Sequence, residues 1–286
     1  MRPRLTATAF VGAFALFIPS AAAAATVTPR APAPPGGAPT ESVRCPLAAA
    51  TALAVPTALP VGLGIGCPGV RPGALVRTPL GICTLNFMWL GSDGARYMGT
   101  AGHCLLGGER GERVFEPGTG PVASEAVPAA DGQPREIGRF VYALADDGFD
   151  FALIRLDPGV VADPAVCFFG GPTALDSRPG PVAPLSLLSH VGQGRLLLGL
   201  LPARTQAVLD SDDSVILGVG LAAPGDSGEP LLGPGGEALG VVVATGPALL
   251  GVVGTGIVFS TRLAPQIQRA ADATGIAFTL VTAPKI

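Results

Sequence analysis

The sequence has only two histidines, His103 and His190, which stand 87 residues apart, and it contains no C-x-x-C pair. A zinc site gathers four such donors at close spacing, so zinc is excluded and neither a metal nor a cofactor is expected. Runs of charge are also missing. A formal net charge of -3 spread along the chain gives no reason to expect nucleic acid or an anionic membrane as partner, and charge says nothing about substrate. Lysine is nearly absent and there is no internal repeat, whereas Gly (41) and Pro (30) are abundant, which suits a loop-rich β protein better than a helical bundle. With 286 residues, 48% of them hydrophobic, the chain is long enough to bury a sizeable core as one large domain or two small ones.

The first 25 residues have three parts: Arg2 and Arg4, an apolar stretch from Leu5 to Ile18, then Pro19 and the run Ala21 to Ala25. This is the pattern of a secretory signal peptide with an A-x-A cleavage site at Ala22 and Ala24. The alternative is an uncleaved anchor, but Pro19 and the alanines fit processing better. Later apolar runs are all broken by Gly, Pro or polar residues. The expectation is a secreted, extracellular protein without stable membrane association once the signal is removed. Residues 26–75 follow as a Pro/Ala/Gly-rich linker or pro-segment, with Ala48 to Gly73 showing no clear period, and residues 76–286 read as the folded domain.

Export gives meaning to the five cysteines, Cys45, Cys67, Cys83, Cys104 and Cys167, since thiols pair in an oxidising compartment. An odd count leaves at least one without an intramolecular partner. From about Val76 the chain becomes short apolar runs between turn signals. Strands are predicted at Cys83 to Leu90, Tyr97 to Ala101, Glu136 to Ala143, Phe151 to Leu156, Ser214 to Val219, Pro230 to Leu232, Ala238 to Ala244 and Gly256 to Ser260. The pattern is all-β, a sandwich or barrel. One helix closes the chain: Thr261 as cap, Pro265 in the first turn, Leu263, Ile267, Ala270 and Thr274 on one face, and Gly275 as stop.

Three segments carry chemistry. A serine hydroxyl is a poor nucleophile at neutral pH and needs a base, a group that orients the base, and donors for the oxyanion. His103 lies in T-A-G-H-C after a predicted strand, whereas His190, in L-L-S-H-V-G, has no acid nearby in sequence and reads as structural. Ser227 lies in P-G-D-S-G-E-P, where two glycines permit a tight turn that gathers successive N–H groups, those of Gly225 and Ser227 being the expected oxyanion donors. Asp150 opens the apolar run F-D-F-A-L-I-R-L, where a half-buried carboxylate needs a donor such as an imidazole N–H.

In the order His, Asp, Ser, with separations of 47 and 77 residues, these segments resemble the chymotrypsin and trypsin family of serine peptidases over roughly Val76 to Gly275. The resemblance implies two six-stranded antiparallel β-barrels with a C-terminal helix, a His103, Asp150 and Ser227 triad in the cleft between them, and protein or peptide substrates. It implies a Cys83 to Cys104 disulfide, and a second bridge from Cys167 to Cys45 or Cys67. It also places Leu221, six residues before the serine, on the floor of the primary pocket, with Ala244, Thr245 and Gly246 and the region of Gly256 as walls, which implies cleavage after apolar residues.

Two departures stand out. Glu229 occupies a position where the family has a small residue; if buried, it needs a partner or a raised pKa. No I-V-G-G-like start exists, so a new N-terminus beside Asp226 is not supported, and an unidentified arginine is the expected substitute. Rival classes fare worse. An α/β-hydrolase would need G-x-S-x-G, which Glu229 breaks, and the opposite triad order; an esterase of the G-D-S type carries its serine near the N-terminus. An inert protease-shaped binding protein, or a protease that processes only itself, remains as the alternative.

Overall fold

The computed structural model describes residues 69–126, 134–193, 202–245 and 256–286. The expected signal peptide and most of the linker lie outside the described residues, as do Cys45, Cys67 and Gly246. Core packing begins at Val70 and Ala74, slightly ahead of the expected boundary at residue 76. Among the described residues no helix is long and apolar enough to cross a membrane.

Two antiparallel sheets carry the chain. The first contains β1 (Leu75–Thr78), β2 (Gly81–Thr84), β3 (Met88–Gly91), β4 (Arg96–Thr100), β5 (Gly111–Val114), β6 (Val122–Glu125), β7 (Glu136–Asp146) and β8 (Phe149–Leu156), joined at one edge by β15 (Phe278–Leu280). The second is a closed barrel of six strands: β9 (Leu187–Val191), β10 (Ala203–Ser211), β11 (Val215–Val219), β12 (Pro230–Leu232), β13 (Ala238–Thr245) and β14 (Ile257–Arg262). Closure satisfies every edge of that barrel. The first sheet has nine strands rather than six, and it returns on itself through the chain, because β2 runs directly into β3 by way of Leu85 to Phe87. The run predicted as one strand from Cys83 to Leu90 is therefore two, and the break lets the Thr84 N–H donate to the Ser227 carbonyl at 2.8 Å instead of to a neighbouring strand.

The β7/β8 hairpin positions the aspartate. Asp146 pairs with Phe149, so Asp147 and Gly148 form a two-residue turn, with Gly148 at φ +78°, and Asp150 follows immediately at the head of β8. Beyond Asp150 the strand is anchored by Phe151, Ala152, Leu153 and Ile154, all fully buried together with Trp89, Tyr97 and Phe140. Each large apolar side chain so buried contributes about 1.5 to 3 kcal/mol. The closed barrel has a smaller core of Leu188, Val208, Ile216, Leu231 and Leu239.

Two helices are present among the described residues: the short α1 (His103–Leu106) and the C-terminal α2 (Leu263–Thr274). Leu263, Ile267 and Ala270 of α2 pack into the first core, as their spacing predicts. Pro265 sits in the first turn, where a missing N–H costs nothing. Gly275 takes the left-handed conformation and its N–H donates to the Ala271 carbonyl at 2.9 Å. The expected cap is corrected: Arg262 is the N-cap residue, and Thr261 belongs to β14, where its hydroxyl accepts a hydrogen bond from Gln266.

Candidate active site

His103 is the first residue of α1 and faces the head of β8. Its Nδ1 lies 2.6 Å from Asp150 Oδ2, while its backbone N–H donates to Asp150 Oδ1 at 2.8 Å. Two contacts to one carboxylate fix both the ring and the residue that carries it. Asp150 is held in turn by a side chain that sequence reasoning passed over: Gln266 of α2, fully buried, accepts the Asp150 N–H at 2.7 Å and donates to Thr261 Oγ1 and the Arg262 carbonyl. A glutamine on the otherwise apolar buried face of the helix was the available signal. Burial works against a charged imidazole at His103, but the hydrogen bond and charge of Asp150 outweigh it, and the His103 pKa is raised above its ordinary value of 6.5.

Ser227 sits in the turn Gly225–Glu229 of the second barrel and is partly exposed. The turn is closed by Asp226 N–H to Ala223 O (3.0 Å), Gly228 N–H to Val242 O (2.8 Å) and Glu229 N–H to Asp226 O (2.9 Å). Gly228, at φ +97°, lies so close to the Thr84 carbonyl and the Thr100 hydroxyl that a Cβ there would collide with both. Among the described residues the N–H groups of Gly225 and Ser227 donate to nothing, and Ser227 Oγ makes no hydrogen bond.

The two halves meet through β2. Thr84 N–H binds the Ser227 carbonyl, Thr84 Oγ1 donates to the Gly225 carbonyl at 2.8 Å, and Thr100, three residues before His103, donates to the Thr84 carbonyl at 2.8 Å. The expected Cys83–Cys104 disulfide is present across 21 residues of sequence. Cys104 Sγ lies 4.0 Å from His103 Nε2 and 4.0 Å from the Ser227 carbonyl, so imidazole and serine turn flank the same sulfur. Cys167 is also disulfide-bonded, and its partner lies outside the described residues. Replacing Cys83 and Cys104 together with serine is expected to cost about 3 kcal/mol, the loop-closure value for a bridge of this span. Denaturant unfolding of the oxidised and double-variant proteins checks this; equal midpoints would contradict it.

The arginine left unnamed by the sequence is Arg204 of β10. Its Nη1 donates to Asp226 Oδ2 at 2.5 Å, with both residues buried. Burial opposes ionisation of Asp226, yet the Arg204 hydrogen bond and charge hold its pKa below the ordinary value. Asp226 Oδ2 also accepts the Ala223 N–H at 2.7 Å, tying the segment before the serine. Glu229 is buried too, and it meets Arg204, His190 and the Asp226 carboxylate.

The expected pocket residues converge only in part. Val258 pairs with both Thr245 and Gly218, and the Gly220 N–H donates to the Gly256 carbonyl at 2.8 Å, so the ends of β11, β13 and β14 lie side by side. Leu221 is 41% exposed, as is Val219 two residues before it to a similar degree, and the Leu221 carbonyl accepts from Arg204 Nη1. A separate cleft of about 370 Å³ is lined by Asp150, Phe149, Arg110, Ala244 and Phe259, and neither Ser227 nor Leu221 reaches it.

A closed six-stranded barrel, a second antiparallel sheet that returns on itself and a C-terminal helix make a chymotrypsin-like fold. Among solved structures the chain is similar to a glutamic acid-specific serine protease described as using a histidine triad in substrate binding (18% identity, TM-score 0.49, 73% of this chain and 100% of that one). It is also similar to Thermobifida fusca protease A (16%, 0.47, 74% and 99%) and to Cellulomonas bogoriensis chymotrypsin (17%, 0.46, 74% and 99%). No family model and no curated protein matches the sequence.

Proposed function

We propose that this chain is a secreted serine endopeptidase with His103, Asp150 and Ser227 as its triad. The observation that carries the reading is the double contact of Asp150 with His103, which leaves Nε2 as the ring nitrogen available to a serine proton. Ser227 Oγ attacks the scissile carbonyl as His103 takes its proton, and Asp150 holds the tautomer and steadies the imidazolium. The unengaged N–H groups of Gly225 and Ser227 receive the oxyanion, and water then hydrolyses the acyl-enzyme by the reverse proton route. Arg204 supplies the cation that Asp226 requires, so activation by a newly cut N-terminus is unnecessary in this reading. The signal-like first 25 residues and the oxidised Cys83–Cys104 pair support export.

The finer proposal is cleavage after apolar residues, supported by the exposed apolar side chains of Val219 and Leu221 just ahead of the Ser227 turn. Hydrolysis of an unfolded protein mixture, followed by matched peptides ending in Leu, Phe, Ala, Arg or Glu at the scissile bond, tests both levels. A tenfold or greater preference in kcat/KM for Leu or Phe over Arg is expected, in line with contact differences of about 1 to 3 kcal/mol. An Arg peptide that is the best substrate would overturn the pocket while leaving the triad intact. Serine labelling without turnover of any added protein would favour self-processing, and absence of labelling would favour the inert scaffold.

A further inference from the structure

Behind the Ser227 turn lies a group of ionisable side chains, two of which, Glu229 and His190, have no part in the proposed reaction. Glu229, His190, Arg204 and Asp226 are all buried, and a single guanidinium touches both carboxylates. Arg204 Nη1 donates to Asp226 Oδ2 and Nη2 donates to Glu229 Oε1, with further bonds from the same two nitrogens to the carbonyls of Leu221 (3.2 Å) and Gly192 (3.1 Å). Glu229 Oε2 lies 2.5 Å from His190 Nδ1. The cavity is shaped for this carboxyl: at Gly192 a Cβ would collide with it.

The placement matters because Asp226 and Glu229 bracket Ser227 and Gly228. Asp226 ties the entrance of the turn through the Ala223 N–H, and Glu229 ties its exit, its carbonyl accepting the Val242 N–H at 3.0 Å. Arg204 therefore grips the turn on both sides of the serine at once.

Charge decides how that grip is possible. Among the described residues the charged or titratable groups facing Glu229 are Arg204 from β10, His190 from β9 and Asp226 from its own turn. With both carboxylates ionised and the imidazole neutral, the buried group has one cation against two anions. One further proton makes it neutral, and burying an uncompensated charge is the most expensive alternative. Glu229 is the one carboxyl that meets the guanidinium, the imidazole and the second carboxylate together, so the additional proton resides on it, within the 2.5 Å contact to His190 Nδ1.

We propose that Glu229 and His190 are positioning residues which, by sharing one proton, allow Arg204 to hold both flanks of the Ser227 turn. The effect on activity rests on the peptidase reading; the proton itself does not. Burial is the largest influence on both partners. It raises the Glu229 pKa well above the ordinary 4.5, with Arg204 opposing and Asp226 adding, and it lowers that of His190 to about 3, with Arg204 adding and Asp226 opposing. The proton is thus held between Glu229 Oε2 and His190 Nδ1, while Oε1 accepts from Arg204.

A glutamine reproduces that arrangement with no proton to lose, since its carbonyl can face Arg204 and its amide can donate to His190. The test compares the unmodified full chain with E229Q and E229L. Unfolding is followed from pH 5 to 10, and the rate of Ser227 labelling by a fluorophosphonate is measured in parallel. Because the folded Glu229 pKa is raised, its contribution to stability is complete below about pH 4.5 and is lost as pH rises toward the folded value. The unfolding constant of the unmodified chain should therefore grow tenfold per pH unit relative to E229Q across that window. E229L should label at least tenfold more slowly, with Gln restoring most of the rate. Identical pH slopes for the unmodified and E229Q proteins, or undiminished labelling of E229L, would overturn the proposal. An unmodified chain that does not label at all overturns the peptidase reading instead, and the pH slopes still decide the shared proton.

Discussion

Replacing Ser227 with alanine lowers kcat by about 10⁶, the loss measured when a serine peptidase is deprived of its nucleophile. The hydroxyl is the only bond-forming group in the proposed site, and a residual rate of about 10³ to 10⁴ over water survives on oxyanion donors and substrate binding alone. Stability serves as the internal control. Ser227 Oγ makes no hydrogen bond among the described residues, so the alanine variant should unfold within about 0.5 kcal/mol of the unmodified protein. Single-turnover kinetics on a good peptide substrate, with unfolding measured on the same samples, checks both halves. A variant retaining more than roughly a tenth of the activity, against that expected loss, sinks the assignment.

Asp150→Asn is the second large effect, about 10⁴ in kcat. The Asp150 carboxylate receives two hydrogen bonds from His103, from the backbone N–H and from Nδ1. An asparagine must turn its NH₂ toward one of them, and toward Nδ1 it selects the tautomer protonated on Nε2, which is unable to accept the serine proton. A pH signature accompanies the loss. Asp150 raises the His103 pKa against the effect of burial, so the acid limb of kcat/KM should lie above pH 6.5 in the unmodified enzyme and move to lower pH in the variant. The same interaction stabilises the fold fully below pH 6.5 and ceases to do so as pH rises through the raised His103 value. Rate profiles between pH 5 and 9 read the shift directly; an acid limb that stays in place would show that Asp150 does not set the His103 pKa.

The parts of the fold that were legible in the sequence are those in which local pattern and tertiary environment agree. The segments of the proposed triad are short motifs, each tied to an element boundary: His103 opens α1, Asp150 is the second residue of β8 and Ser227 lies in a glycine-framed turn. All eight expected strands exist, although the first is split at Leu85 to Phe87. What was missed has a common cause in β9 and β10. In β10 the inward positions are Arg204, Gln206 and Val208, while Ala203 and Ala207 face outward or half outward, so the usual alternation of apolar and polar residues is inverted. The inversion exists because this strand reaches in to hold Asp226 and Glu229. In β9 His190 fills a buried position for the same reason, so a histidine read as structural and a glutamate read as a departure are two ends of one contact. The edge strand β5, G-E-R-V with three exposed residues, has no apolar face to detect, and β15 is only three residues long.

Thr84 and Gln266 were invisible for a different reason. Each acts through hydrogen bonds to the backbone of a residue far away in sequence, Thr84 to Gly225 and Gln266 to Asp150, and no local periodicity encodes such a partner. The proposed pocket lies between these cases. The reading rests on Leu221, which is exposed, and on strand ends and Gly246, the last of which lies outside the described residues.

The central claim is that one serine out of the whole chain is activated, and a covalent map tests it most directly. The protein is treated with a fluorophosphonate near pH 7.5, digested and sequenced by mass spectrometry, with the Asp150→Asn protein alongside. The account predicts one phosphonylated residue, Ser227, at close to one equivalent, with labelling slowed by orders of magnitude in the variant. An unlabelled Ser227, or equal labelling of several serines including exposed ones, would contradict it.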